Sequence, residues 1–157
     1  HDYFEKELNI PVYHDPKEFV FNNKHFFIGH GDGKGPGDKG YKRMKKVFTN
    51  PFSKWLFRWL HPDIGVRVAQ HLSVKNKLIS GDEDKEFLGE EQEWLAQYSK
   101  RKLESKHFDY FVFGHRHLPM KIKVGENSTY FNLGDWISHY TYGVFDGDKL
   151  ELKTYRP

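Results

Sequence analysis

Phe111-Val112-Phe113-Gly114-His115-Arg116-His117 is an apolar run that breaks into a glycine and two histidines spaced i, i+2. Aromatic and β-branched side chains favour a strand, and a glycine lets the chain turn at its end. Imidazoles delivered there are common metal ligands. A second copy of the pattern lies upstream, where Phe26-Phe27-Ile28 leads into Gly29-His30-Gly31-Asp32. Two strands that both end in Gly-His predict one metal centre assembled from the two.

The rest of the chain is organised around those strands. Glu18 to Phe21 and Lys24 to Ile28 read as a hairpin closed by Asn22-Asn23. Residues 31–40 hold five glycines, a composition suited to a linker or to backbone that approaches a ligand closely. Asn50 is placed to cap a helix whose first residue is Pro51. Phe52, Trp55, Leu56, Trp59 and Leu60 then form an apolar stripe at i, i+3, i+4, i+7, i+8. That stripe reads either as a core-facing surface or as a cap that meets a greasy ligand or a membrane interface. Pro62 ends this helix, and Ile64 to Leu72 starts another.

A long helix is predicted from Asp84 to about Glu104, burying Phe87, Leu88, Trp94, Leu95 and Tyr98. Asp109 to Phe113 is the strand entering the histidine turn. Lys121 to Val124, Ser128 to Leu133, Gly143 to Phe145 and Leu150 to Tyr155 follow as a β-meander. Strand, helices, strand and then consecutive strands make an α/β layered domain.

Composition narrows the function classes. A chain of 157 residues is one domain's worth, with a core of its own. Aromatic residues make up 17% and charged residues 30%, and no apolar run reaches the roughly 20 residues of a membrane-spanning helix. The absence of cysteine rules out disulfides and thiolate metal sites, so imidazole and carboxylate are the available ligands. The net charge of +3 is unevenly spread. Residues 39–77 carry ten basic side chains against Asp63 alone, which makes that segment +9 and the remainder −6. Residues 82–93 hold seven acids and one lysine. Such a basic block is either a solvated helix face or a surface for an anionic partner.

In an ideal strand His115 and His117 would point to opposite faces. Past a strand end they can diverge around two adjacent ions, with His30 as a third ligand. Asp32 suits a supporting carboxylate that fixes a ring tautomer. Asp135, in Asn132-Leu133-Gly134-Asp135-Trp136, is either near the site or a turn residue. His14, His25, His61, His71 and His107 read as polar surface.

Gly29-His30-Gly31-Asp32 with Gly114-His115-Arg116-His117 resembles the back half of the calcineurin-like metallophosphoesterase signature. Asp2-Tyr3-Phe4-Glu5-Lys6-Glu7-Leu8, Phe87-Leu88-Gly89-Glu90 and Leu118-Pro119 extend that resemblance over essentially the whole chain. It implies the C-terminal portion of a four-layer α/β/β/α fold, a single domain over 1–157, with a helical cap insertion at about 38–80. By the same resemblance His30 and His115 would bind one Mn²⁺ and His117 another. The bridging aspartate and other catalytic residues are expected upstream of residue 1, and His1 is not counted among them.

The resemblance is nearest to members that hydrolyse the pyrophosphate of a nucleotide-linked glycolipid, UDP-2,3-diacylglucosamine, in lipid A biosynthesis. It implies UMP and a 1-phosphorylated glycolipid as products, and an anionic inner-membrane surface as partner. No nucleic acid is expected. The implied location is cytoplasmic, peripheral to the inner membrane. Asn76, Lys77, Ser80 and Arg116 are the expected substrate contacts. Where related enzymes carry a Ser-Arg-x-x-Asn cluster, this chain reads Asn76-Lys77-Leu78-Ile79-Ser80, and a lysine does not reproduce a bidentate arginine. A soluble phosphodiester or nucleotide is the alternative substrate. A noncatalytic module that binds lipid or nucleic acid through residues 39–77 is the alternative class.

Overall fold

The computed structural model describes residues 2–34, 39–80, 87 and 89–156. A short helix α1 (Asp2–Lys6) leads to β1 (Lys17–Phe21) and β2 (Lys24–Gly29). Three helices follow, α2 (Lys39–Thr49), α3 (Pro51–Arg58) and α4 (Pro62–Ser80). Then come α5 (Trp94–Leu103), β3 (Tyr110–Phe113), β4 (Pro119–Gly125), β5 (Ser128–Leu133), β6 (Thr141–Phe145) and β7 (Leu150–Thr154).

The main sheet has five strands in the order β1-β2-β3-β5-β4. Strands β2, β3 and β5 run parallel, while β1 and β4 are antiparallel hairpin partners at the two edges. Asn22 and Asn23 both take positive φ, 46° and 62°, as a tight two-residue hairpin turn requires. Gly29 lies opposite Phe113, and Phe113 lies opposite Asn132. The three central strands therefore end together at one edge of the sheet.

Side chains alternate between the faces, as strand geometry demands. Phe27, Phe111, Phe113, Met120, Ile122, Val124 and Tyr130 pack with Leu95 and Ala96 of α5. Phe26, Val112 and Phe131 face the other way, against Leu150, Phe145 and Leu152 of the β6-β7 hairpin. The described residues thus form three layers: helix, five-stranded sheet and two-stranded sheet. The expected α/β class is present, whereas a fourth layer is not formed among the described residues.

Two further expectations are corrected, and one open reading is decided. The tail is not one meander, because β6 and β7 leave the main sheet and form a sheet of their own. Their apolar side chains cover the face that α5 leaves open. The helix expected from Asp84 begins only at Trp94, after a turn at Glu90–Gln92. Residues 81–86 and Leu88 lie outside the described residues, and Phe87 is exposed. The stripe on α3 is not core-facing, since Phe52 is 68% exposed, Trp55 52% and Trp59 75%, and the helix has no buried residue. Its start does follow the sequence: Asn50 accepts hydrogen bonds from the Phe52 and Ser53 N–H groups ahead of Pro51.

Candidate metal centre

Each of the three parallel strands ends in the same way, with a glycine followed by a chemically active side chain. Gly29 precedes His30, Gly114 precedes His115 and Gly134 precedes Asp135. Ligands of sheets with parallel strands characteristically bind beyond the carboxyl ends of those strands. The Gly114 N–H donates to the His30 carbonyl at 3.1 Å, which carries the β2-β3 pairing one step past the strands.

That step sets His30 beside His115, their ring centroids 5.2 Å apart and nearly perpendicular. His115 also lies edge-on to Trp94, 5.9 Å away. His117 points elsewhere, its Nδ1 3.7 Å from Asp135 Oδ2. The two rings of the Gly-His-Arg-His turn therefore diverge. Both histidines hold left-handed backbone, at φ 70° and 54°. Such conformations are costly for a residue with a Cβ and tend to persist at functional sites.

Arg116, between them, turns inward. It is 7% exposed, and its Nε meets Glu93 Oε2 at 3.0 Å. The side chain expected to touch substrate is thus committed to a buried ion pair. The Tyr130 hydroxyl reaches Glu93 Oε1 at 3.4 Å. Burial first, and then the Glu93 charge, push the Tyr130 phenol far above the ordinary tyrosine range. The group remains a neutral donor.

Asn132 extends this network to the turn. Its amide nitrogen donates to the Gly114 carbonyl and to the Tyr130 hydroxyl, and its oxygen accepts the Gly134 N–H at 3.1 Å. One buried side chain thereby ties together the loops that carry His115 and Asp135. No histidine motif marks Asn132 or Glu93 in the sequence. Only their place in the Asn-Leu-Gly-Asp and Glu-Trp-Leu stretches could have drawn attention to them.

Asp135 is both near the site and a turn residue. Its Oδ1 accepts the N–H groups of Ile137, Ser138 and His139 at 2.9, 2.6 and 3.2 Å. The Ser138 N–H above all, with those of Ile137 and His139, holds its carboxyl well below the usual carboxylate range. Its Oδ2 faces two imidazoles, His117 and, at 3.5 Å, His139. His139 had no assigned role in the sequence.

Asp32 pairs with Lys45 of α2 at 2.7 Å, linking the His30 loop to the helical segment. Asn76, Lys77 and Ser80 fall in the last turns of α4, where side chains lie outside the described residues. His1 and the proposed cap boundary at residue 38 lie outside them as well. Among the described residues no group of three or more His, Asp or Glu side chains is gathered to hold a metal ion. Also among them, no helix is long and apolar enough to cross a membrane.

Imidazole suits Zn, Cu, Fe and Ni as a donor, whereas Mn²⁺ is suited by carboxylate, carbonyl and water oxygens. The facing rings of His30 and His115 could offer two donors to one ion, and His117 lies apart from them beside Asp135.

No family model matches the chain. Over most of its length the chain is similar to curated proteins named UDP-2,3-diacylglucosamine hydrolase. The protein of that name from Porphyromonas gingivalis is 30% identical, across 98% of this chain and 63% of its own length. One from Psychromonas ingrahamii is 24% identical, across 95% and 60%. One from Pseudomonas putida is 25% identical, across 85% and 55%. The chain spans about 60% of the length of these relatives. Among solved structures, the solution NMR structure of a Thermotoga maritima protein aligns with 99% of this chain and 60% of its own. Its TM-score of 0.37 and identity of 14% are too slight to bear on the fold.

Proposed function

We propose that this chain is part of a metal-dependent hydrolase that cleaves the pyrophosphate of UDP-2,3-diacylglucosamine to UMP and 2,3-diacylglucosamine 1-phosphate. The observation that supports the proposal is the placement of His30, the His115–His117 turn and Asp135 at the ends of three adjacent parallel strands, with His30 beside His115 and His117 beside Asp135. The names of the relatives supply the substrate.

In this reading His30 and His115 hold one Mn²⁺ and His117 a second, with further donors completing both shells in the full-length protein. When bound, two such ions supply an activated water and neutralise charge on the phosphate oxygens. The chain's own contribution is placement. The Gly114 N–H to His30 carbonyl bond fixes the spacing of the first two rings, and Asn132 with the Glu93–Arg116 pair holds the turn that separates His115 from His117.

Helices α2 to α4 serve as the cap for the lipid. Their exposed aromatics meet acyl chains or the membrane interface, while their cations meet phosphates of the substrate and of anionic lipids at the inner membrane. Asn76, Lys77 and Ser80 contribute to binding of the sugar and phosphate in this scheme.

The test is UMP release by the full-length protein from detergent-dispersed UDP-2,3-diacylglucosamine, with Mn²⁺ and after chelation. Turnover that needs Mn²⁺ and disappears in His115→Ala supports the proposal. Hydrolysis of soluble diesters without UMP release would leave a metallophosphoesterase and remove the glycolipid. Salt-sensitive binding to anionic vesicles, indifferent to His115→Ala and never accompanied by hydrolysis, would instead indicate a noncatalytic module.

A further inference from the structure

Asp135 divides its two oxygens between two tasks. Oδ1 takes three backbone N–H groups and makes the turn, so the turn needs nothing from Oδ2. Oδ2 instead faces Nδ1 of His117 at 3.7 Å and Nδ1 of His139 at 3.5 Å. The Asp135 side chain is 11% exposed and that of His139 36%, while the His117 ring is 59% exposed. The carboxylate cannot easily swing away. Gly134, before it, holds φ 73° and has its N–H on Asn132, and a Cβ there would lie 2.5 Å from Thr141 Oγ1. Asp32, the carboxylate that the sequence offers for fixing a ring, is paired with Lys45 at 2.7 Å.

We infer that Asp135 is a positioning residue that fixes the ring of His117 with its proton on Nδ1. A carboxylate beside Nδ1 favours the N–H at that nitrogen, and Nε2 is left as the lone-pair nitrogen on the far side of the ring. That is the arrangement in which a carboxylate orients a metal-binding histidine and raises its basicity. The inference rests on the proposed metal role of His117, but it concerns the ring itself and can be read without metal or substrate.

Asp135→Asn separates the two tasks. The amide oxygen keeps the turn, whereas the amide N–H₂ now faces the rings and asks Nδ1 to accept. The full-length protein, stripped of metal and ¹⁵N-labelled at histidine, is measured by long-range ¹H–¹⁵N spectra at about pH 8.5, where imidazoles near their ordinary pKa are neutral. The wild type should show His117 as the Nδ1–H form, and Asp135→Asn should convert it to Nε2–H, at a lowered melting temperature because the three turn N–H groups lose a charged acceptor. Calorimetric Mn²⁺ affinity should fall about 10–100-fold in the variant.

Wild-type His117 in the Nε2–H form, the one a free imidazole prefers, overturns the inference even if the variant does not fold. So does a tautomer unaffected by Asp135→Asn. Absence of Mn²⁺ binding with the Nδ1–H tautomer in place would overturn the hydrolase reading and leave the positioning role standing.

Discussion

Arg116 Nε and Glu93 Oε2 lie 3.0 Å apart, with side chains only 8% and 1% exposed. The central residue of the Gly-His-Arg-His turn therefore anchors that turn to the start of α5 instead of reaching into solvent. This use of Glu93 explains why it begins α5 without a side-chain cap to the helix.

Removing one partner of this pair strands the other charge. Glu93→Gln should cost about 3–5 kcal/mol in urea unfolding. The double change Glu93→Leu with Arg116→Met should recover much of that loss, because two apolar groups leave no charge unpaired. A double variant as unstable as the single one would show that the pair does more than neutralise itself.

The facing rings of His30 and His115 give a second expectation. His30→Ala and His115→Ala should each abolish Mn²⁺-dependent UMP release by the full-length protein, with small changes in melting temperature. Because groups that act as a unit are strongly non-additive, the double variant should be no less active than either single one. Substantial turnover remaining in either single variant would remove that histidine from the site.

Gly134 tests the backbone beneath Asp135. Gly134→Ala places a Cβ at a positive φ and against Thr141 Oγ1. It should destabilise by more than about 1 kcal/mol, well beyond the gain that alanine brings through the unfolded chain. Thermal unfolding checks this, and a stabilised variant would mean that the 134–140 loop adapts freely.

Trp55 on α3 and Trp59 at its C-terminal cap are exposed, so Trp55→Ser with Trp59→Ser should leave folding stability within about 0.5 kcal/mol per site. The same change should weaken sedimentation with vesicles of anionic lipid and slow turnover of the dispersed glycolipid. Vesicle binding that stays at the wild-type level would take this helix out of the membrane contact.

The residues most legible in the sequence were those with strong local rules. Asn22-Asn23 announced its hairpin turn and Asn50-Pro51 its helix start, because each satisfies nearby backbone by itself. The Gly-His strand ends announced where His30 and His115 would meet. What escaped the sequence depends on distant partners. Nothing local distinguishes an aromatic stripe with a core to cover from one without, so α3 was open to both readings until its exposure was seen. Arg116 looks like a solvent cation unless Glu93, 23 positions away, is known to lie beneath it. The split between β5 and β6 follows from a second sheet face in need of cover, a property of the assembled layers.

The parallel pairing of β2 with β3 joins residues 84 positions apart, with α2 to α4 in the excursion between them. The entropic cost of closing a loop grows slowly with its length, by only about 0.6 kcal/mol for each doubling. Insertions or deletions among these helices can therefore accumulate at little expense to the strand ends. A lineage can remodel what it grips while the histidines that act on the bond stay where the ladder puts them.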